Sequence, residues 1–244
     1  MIRSEAADYS LLPKGSTFRE LLLPFVLPYL AYVALGGLLP GLLGPDLAQA
    51  VRFVVVAALL LHFRRHYAFG PRLTPVQALL ALAAAAVATA LWVGSLRLAL
   101  HLPAWQDDLA KARATEFSLL YALLRSLNSV LLTPLFEELF VRAYAMEAAL
   151  PPGPGQQGEG LMERKPRSLP LPPLVARSVV AATVLFALGH DSASIGPAVI
   201  YFLLTTAFYA WTRNFKAVIL VHALTNAALA ALVWLRPDLR FLWF

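Results

Sequence analysis

Apolar residues in this chain are gathered into runs of roughly 16–25 residues, the length that crosses a lipid bilayer as an α-helix. Short polar segments separate the runs. We therefore expect an all-α fold, a polytopic transmembrane helix bundle that forms one integral membrane domain over residues 1–244. The pattern predicts seven spans, at about Leu21–Leu43, Leu47–Phe63, Val76–Leu100, Ser126–Leu150, Leu174–His190, Gly196–Thr212 and Ala217–Leu235.

Composition also indicates a membrane protein. Hydrophobic residues make up 59% of the 244 residues and charged residues only 14%, whereas a soluble domain is about 45–50% apolar and about 25% charged. The net charge of +6 is modest, and we interpret it as loop charge that sets topology, not as a nucleic-acid-binding surface. The absence of cysteine excludes disulfides, thiol nucleophiles and cysteine-based metal sites.

The fourth apolar stretch, Phe117–Leu150, is too long for one straight span. Arg125 is a poor residue for the bilayer centre, so we expect Phe117–Leu124 to form an interfacial turn or the start of the helix. The span itself should be kinked near Pro134, and Glu137 should fall near mid-membrane at about 1.5 Å per residue. A helical hairpin is the alternative, and it would raise the number of spans to eight.

The connecting segments predict the orientation. Residues 1–20 form a polar tail, and residues 151–173 hold seven prolines and four glycines, which predicts a flexible loop. Lys and Arg are concentrated in these two segments, after the second span and in the turn with Arg213 and Lys216. The positive-inside rule then puts the amino-terminal tail in the cytoplasm and the carboxyl terminus outside. The Ala-, Leu- and Arg-rich composition favours a bacterium, and therefore the inner membrane.

Glu137 and Glu138 lie side by side in a very apolar stretch, LLTPLFEELFVRAYAM, and Arg142 follows them. A charged side chain at mid-membrane costs roughly 2.5–3.5 kcal/mol on insertion scales, so intramembrane carboxylates mark functional sites by default. This pair is therefore the first candidate for chemistry.

Two more polar pairs lie in later spans. Phe186 and His190 form F-x-x-x-H, and His222 and Asn226 form H-x-x-x-N. The i,i+4 spacing projects each pair from one helical face. Together with E-E-x-x-x-R, the set occupies three separate helices.

This set resembles the CPBP intramembrane proteases, also called the CAAX protease and bacteriocin-processing family or the ABI family. The resemblance rests on FEELFVR, FALGH and HALTN, within a motif-bearing core at about 117–235. It implies an intramembrane endopeptidase that cuts near the carboxyl terminus of a membrane-anchored protein or peptide. The expected partners are that substrate and the lipid bilayer, without nucleic acid.

Peptide hydrolysis needs an activated water, a group that holds the water and donors for the oxyanion. We expect Glu137 to be the general base and His190 to hold the water with it. Glu138 and Arg142 are spaced i,i+4 and can pair, which leaves Glu137 free to accept a proton.

His222 and Asn226 share a helical face, and both carry N–H donors that suit an oxyanion hole. Each residue also has a structural interpretation when it is taken alone, since an intramembrane asparagine can simply join two helices. The predicted catalytic set is Glu137, Glu138, Arg142, His190, His222 and Asn226.

Three alternatives stay open. Glu137, His190 and His222 are a sufficient ligand set for a catalytic zinc ion, with Glu138 then acting as base; we favour a reaction without metal or another cofactor. A proton-coupled transporter could use the same three residues as a relay, but the sequence has no evident inverted repeat. A non-catalytic binding protein would not need a buried base. The substrate and the oligomeric state are not predicted.

The predicted bounds leave one geometric problem. His190 ends span five on the outer side, while His222 lies early in span seven, which starts from the inner side. Span six rises only about 24 Å toward the inner side, and His222 lies roughly 9 Å back along span seven toward the outer side. The remaining gap requires tilt, a longer fifth helix or a re-entrant segment at Asp191–Pro197.

Overall fold

The computed structural model describes residues 11–13, 15–102, 117–166 and 175–243. These residues are all-helical and contain no strand, which confirms the predicted fold class. Most of the predicted cytoplasmic tail and residues 167–173 of the Pro/Gly-rich segment lie outside the described residues. The helices are α1 (Phe18–Leu43), α2 (Pro45–His62), α3 (Pro75–Leu100), α4 (Leu119–Ala148), α5 (Ala176–Leu188), α6 (Ile195–Thr212) and α7 (Phe215–Leu235).

Six of these helices are long and apolar enough to cross a membrane, and α5 is the exception. It has 13 residues and therefore rises about 20 Å, less than the roughly 30 Å of bilayer hydrocarbon. The helix α4 is continuous over 30 residues, so the hairpin alternative with eight spans is wrong. Of the two forms expected for Phe117–Leu124, the start of a helix is the one that occurs.

Side-chain caps fix where the helices begin. Thr17 and Glu20 form a capping box at α1, in which each side chain accepts a hydrogen bond from the other's backbone N–H. Ser118 accepts from the N–H of Tyr121 at 2.9 Å and donates to Asp46 Oδ1 at 2.6 Å. The start of α4 is thereby tied to the start of α2.

The helix α4 is irregular around Pro134, where the sequence predicts a kink. Wider π-helical turns occur at Asn128–Leu132, before the proline, and at Glu138–Ala145, after it. Proline has no N–H for the helical ladder. Just before it, the backbone N–H and the hydroxyl of Thr133 both donate to the carbonyl oxygen of Asn128, the hydroxyl at 3.2 Å. Such π-helical turns are frequent at functional sites.

Helices α4 and α7 lie at the centre of the packing. Phe136 of α4 packs in one hydrophobic cluster with Phe25 of α1, Val56 of α2 and Val221 of α7. Large apolar side chains also cover the outer surface, such as Leu42, which is 78% exposed. A surface of this kind is suited to contact with lipid.

Candidate active site

A cavity of about 120 Å³ lies inside the bundle, between α3, α4, α5, α6, α7 and the segment Pro237–Trp243. Its volume is enough for several water molecules. Four of the predicted catalytic residues line it, one or two from each of the three motif helices. They are Glu137, His190, His222 and Asn226.

Glu137 is the carboxylate that faces this cavity. Its side chain is buried, at 8% exposure for the residue, and Oε2 has no hydrogen-bond partner among the described residues. The nearest cationic candidate is His222, whose Nε2 lies 3.7 Å from Glu137 Oε2. That separation is too long for a hydrogen bond, so the oxygen is left to interact with whatever occupies the cavity.

Glu138 faces away from the cavity and is part of a closed polar network. Arg142 Nε donates to Glu138 Oε2 one turn along α4, and His222 Nδ1 lies 3.1 Å from Glu138 Oε1. A carboxylate only accepts, so Nδ1 of His222 carries the proton in this contact. The predicted Glu138–Arg142 pair is therefore formed, with His222 as a third member.

Arg142 is fully enclosed, at 3% exposure. Its remaining nitrogens donate to the hydroxyls of Thr205 and Thr206 on α6, the latter at 2.6 Å, and its guanidinium lies 4.3 Å from the centre of the Phe202 ring. Both threonine hydroxyls donate to backbone carbonyls, so their lone pairs are oriented toward the arginine. The buried charge is thus compensated by Glu138 and hydrogen-bonded through each of its three nitrogens.

His190 follows the short helix α5 and lines the same cavity as His222. The gap that the predicted spans left between the two histidines is therefore absent. The fifth helix is not longer than expected, because it ends at Leu188. The rings of Phe186 and Tyr201 lie 6.2 Å and 5.4 Å from the ring of His222, and Phe186 lies 4.8 Å from His190. Two aromatic side chains therefore connect the histidines across one cavity.

The orientation of the His190 ring is fixed by the end of α5. Nδ1 donates to the carbonyl oxygen of Phe186 at 2.8 Å, because a carbonyl oxygen only accepts. In the neutral imidazole this leaves Nε2 as an acceptor. His190 can therefore receive a proton or a hydrogen bond from water in the cavity.

Asn226 has a structural contact as well as a place on the cavity. Its Nδ2 donates to the carbonyl oxygen of Ser129 at 2.7 Å, within the first π-helical segment of α4. One of its two N–H groups is thus engaged in holding α7 against α4, and the predicted oxyanion donor has one N–H left.

Sequence reasoning missed several residues that contribute to the site. The sequence gives no reason to single out Thr205 and Thr206 as partners of Arg142, because hydroxyls are common in membrane helices. Arg125 was interpreted only as a boundary, yet it lines the cavity together with three polar residues of the same helix. These four positions are spaced i,i+4 along α4, a stripe that the sequence does contain: Arg125, Ser129, Thr133 and Glu137.

The sequence left open a zinc site formed by Glu137, His190 and His222. Within the part of the chain that the structure describes, no three His, Asp or Glu side chains are grouped as metal ligands. His222 contacts Glu138 through Nδ1, and this leaves Nε2 of the same ring toward the cavity, so the zinc alternative stays open. The reaction proposed below uses no metal, and the chelator experiment tests that choice.

The family model described as type II CAAX prenyl endopeptidase Rce1-like matches residues 118–228. The matched segment covers a little under half of the chain and is similar to this family. It runs from the start of α4 into α7 and includes all six predicted catalytic residues, so the match confirms the predicted family. Comparisons with curated proteins and with solved structures give no match.

The family match and the six apolar helices support an integral membrane protein of the intramembrane protease class. A CAAX-type endopeptidase acts within the membrane on a membrane-anchored substrate. The first three helices lie outside the matched segment, although α3 contributes Trp92 to the cavity.

Proposed function

We propose that this protein is a glutamate-dependent endopeptidase that hydrolyses a peptide bond near the carboxyl terminus of a membrane-anchored protein or peptide. One observation supports this above the others. Glu137 Oε2 is buried without a hydrogen-bond partner among the described residues, on a cavity that also contains His190 and His222. A buried acceptor of this kind is suited to bind and deprotonate a water molecule.

The proposed reaction begins with a water that donates one hydrogen bond to Glu137 and the other to His190 Nε2. The water oxygen bonds to the carbonyl carbon of the substrate while Glu137 takes a proton from it. The carbonyl π electrons move to the carbonyl oxygen, which becomes the oxyanion. When the C–N bond breaks, Glu137 returns the proton to the leaving amine nitrogen. The products are a carboxylic acid and an amine, and transfer of the remaining water proton from the acid to the amine gives a carboxylate and an ammonium group.

His222, Glu138 and Arg142 are positioning residues in this scheme. Arg142 compensates the Glu138 carboxylate, and that carboxylate accepts from His222 Nδ1. The ring of His222 is therefore held with Nε2 toward Glu137. A second layer of hydrogen bonds of this kind keeps catalytic groups in their reactive geometry.

The central test replaces Glu137 by Gln in the full chain, reconstituted in liposomes. The substrate is a peptide with a prenylated cysteine near a free carboxyl terminus, and mass spectrometry follows its cleavage. We expect cleavage to fall by about 10²–10⁴-fold, the contribution typical of general acid–base catalysis. Glu147→Gln is the matched control, because Glu147 lies on the same helix but does not line the cavity.

Thermal unfolding in detergent shows whether each variant is folded. Wild-type turnover by folded Glu137→Gln would remove Glu137 as the base. The zinc alternative is tested in the same assay with a chelator: activity that disappears and returns only with added zinc contradicts the metal-free scheme.

A further inference from the structure

The hydrogen-bond donors of the family motifs are largely engaged before any substrate binds. His222 Nδ1 donates to Glu138, His190 Nδ1 donates to Phe186, and Asn226 Nδ2 donates to Ser129. With Nδ1 protonated, a neutral histidine offers only an acceptor at Nε2. The cavity thus has acceptors for a water molecule, but the motifs leave only one N–H of Asn226 for an oxyanion.

Among the other polar residues of the cavity lining, two carry buried donors that have no partner among the described residues, and neither belongs to the motifs. They are the indole Nε1 of Trp92 on α3 and the hydroxyl of Tyr201 on α6. Both atoms are buried and have no hydrogen-bond partner among the described residues. Tyr201 is 3% exposed. The neighbouring Thr225 hydroxyl donates to the Val221 carbonyl oxygen at 2.8 Å, so it could serve Tyr201 only as a neutral acceptor, which is weaker than an oxyanion.

A buried donor without a partner is destabilising, so two on one cavity are unusual. The third orphaned atom on that cavity is Glu137 Oε2, an acceptor. The cavity therefore presents one unpaired acceptor and two unpaired donors. The acceptor suits a water molecule that gives up a proton, and the donors suit a carbonyl oxygen that gains negative charge.

The aromatic packing fixes both donors beside the motif histidines. The Trp92 ring lies 5.5 Å from His190 and 6.0 Å from Tyr201, and the Tyr201 ring lies 5.4 Å from His222. Tyr201 is also stacked on Phe186, with 5.8 Å between ring centres. Rigid donors in a cavity of low dielectric stabilise developing charge without reorganisation.

We propose that the Tyr201 hydroxyl donates a hydrogen bond to the oxyanion of the tetrahedral intermediate and that Trp92 Nε1 is the second donor. Tyr201 keeps its proton throughout, and the negative charge that it stabilises returns to the carbonyl when the C–N bond breaks. This inference rests on the proposed function. It also gives α3, which lies outside the matched segment, a direct part in the reaction.

The test compares Tyr201→Phe with Tyr209→Phe. Both tyrosines lie on α6 and are similarly buried, at 3% and 4% exposure, but Tyr209 does not line the cavity. With the prenylated peptide, we expect Tyr201→Phe to lower kcat by about 10²–10³-fold, as loss of one oxyanion donor does, with little change in KM. Tyr209→Phe should keep the wild-type kcat.

Two further measurements separate catalysis from structure. A peptide with a phosphinate in place of the scissile amide mimics the tetrahedral intermediate, and it should bind Tyr201→Phe more weakly by the same factor as the loss in kcat. The melting temperature of Tyr201→Phe should equal or exceed that of the wild type, because the substitution removes an unpaired buried hydroxyl. Loss of activity together with retained stability is not expected of a residue that only supports the fold.

Trp92→Phe tests the second donor, with the exposed Trp211→Phe as its control. Equal kcat values for Tyr201→Phe and Tyr209→Phe would overturn the proposal, and so would a lower melting temperature with unchanged phosphinate binding. Either result leaves Glu137 as the base if Glu137→Gln is inactive. Full activity of Glu137→Gln would instead contradict the proposed function itself.

Discussion

The buried ion pair behind the cavity gives the sharpest prediction about stability. Arg142 and Glu138 are 3% and 1% exposed, and Arg142 also binds two threonine hydroxyls. Removing one partner of a buried pair leaves the other charge uncompensated and typically costs about 3–5 kcal/mol. Arg142→Met retains most of the side-chain volume, so a cavity adds little to this loss.

The expected change is therefore large enough to measure directly. At roughly 2–4 °C per kcal/mol for a chain of this size, Arg142→Met should melt roughly 6–20 °C below the wild type. The control is Arg19→Ala. Arg19 pairs with Glu163 at 2.8 Å, but the two side chains are 73% and 54% exposed, and an exposed pair contributes less than about 1 kcal/mol.

A double variant separates charge compensation from catalysis. Glu138→Leu combined with Arg142→Met removes both charges, and we expect it to recover most of the stability lost in Arg142→Met. Activity should stay low, because His222 Nδ1 no longer has its acceptor. The measurements are melting curves of purified protein in one detergent and cleavage in liposomes. Arg142→Met as stable as Arg19→Ala, or a double variant less stable than Arg142→Met, would refute the reasoning.

Two other features can be tested in the same preparations. A methyl group at Gly189 would lie 2.5 Å from the Tyr29 hydroxyl oxygen, so Gly189→Ala should lower stability by about 1–3 kcal/mol and reduce activity by displacing His190. Adding Tyr29→Phe to Gly189→Ala should restore stability. Gly196→Ala is the control, because its methyl group meets no atom within 4 Å. If Gly189→Ala changes neither stability nor activity, the close contact with Tyr29 is contradicted. For orientation, alkaline phosphatase fused after Phe244 should be active in a bacterial host if the carboxyl terminus lies outside. An inactive but stable fusion would reverse the proposed topology.

The fold was largely predictable because hydrophobic run length decides how often a chain can cross a bilayer. The sequence alone predicts an all-helical bundle, and the predicted bounds of α1, α2 and α3 differ from the observed ones by at most three residues. The fourth helix begins at Leu119, seven residues before the predicted span. The fifth helix is two residues shorter at each end than its apolar run Leu174–His190, and run length alone did not show that it stops at Leu188, too short to cross the bilayer.

The candidate site was predictable in its residues but not in their partners. Motif spacing on three helices identified the four cavity-lining residues and the ion pair behind them. Spacing along a helix gives the face of a side chain, but not the rotation of neighbouring helices. The contacts of Arg142 with Thr205 and Thr206, and of Asn226 with Ser129, depend on that rotation and on the π-helical turns.

The two adjacent glutamates have different environments because successive residues on a helix point about 100° apart. Glu137 ends the short α-helical stretch after Pro134, and Glu138 begins the second π-helical segment. One carboxylate therefore faces the cavity without a partner among the described residues, while the other accepts from Arg142 and His222. If both faced the cavity, two like charges would compete for the same proton, and His222 would lose its fixed acceptor. The adjacency that makes the pair costly in a bilayer thus also allows one carboxylate to position the histidine while its neighbour is left to act on water.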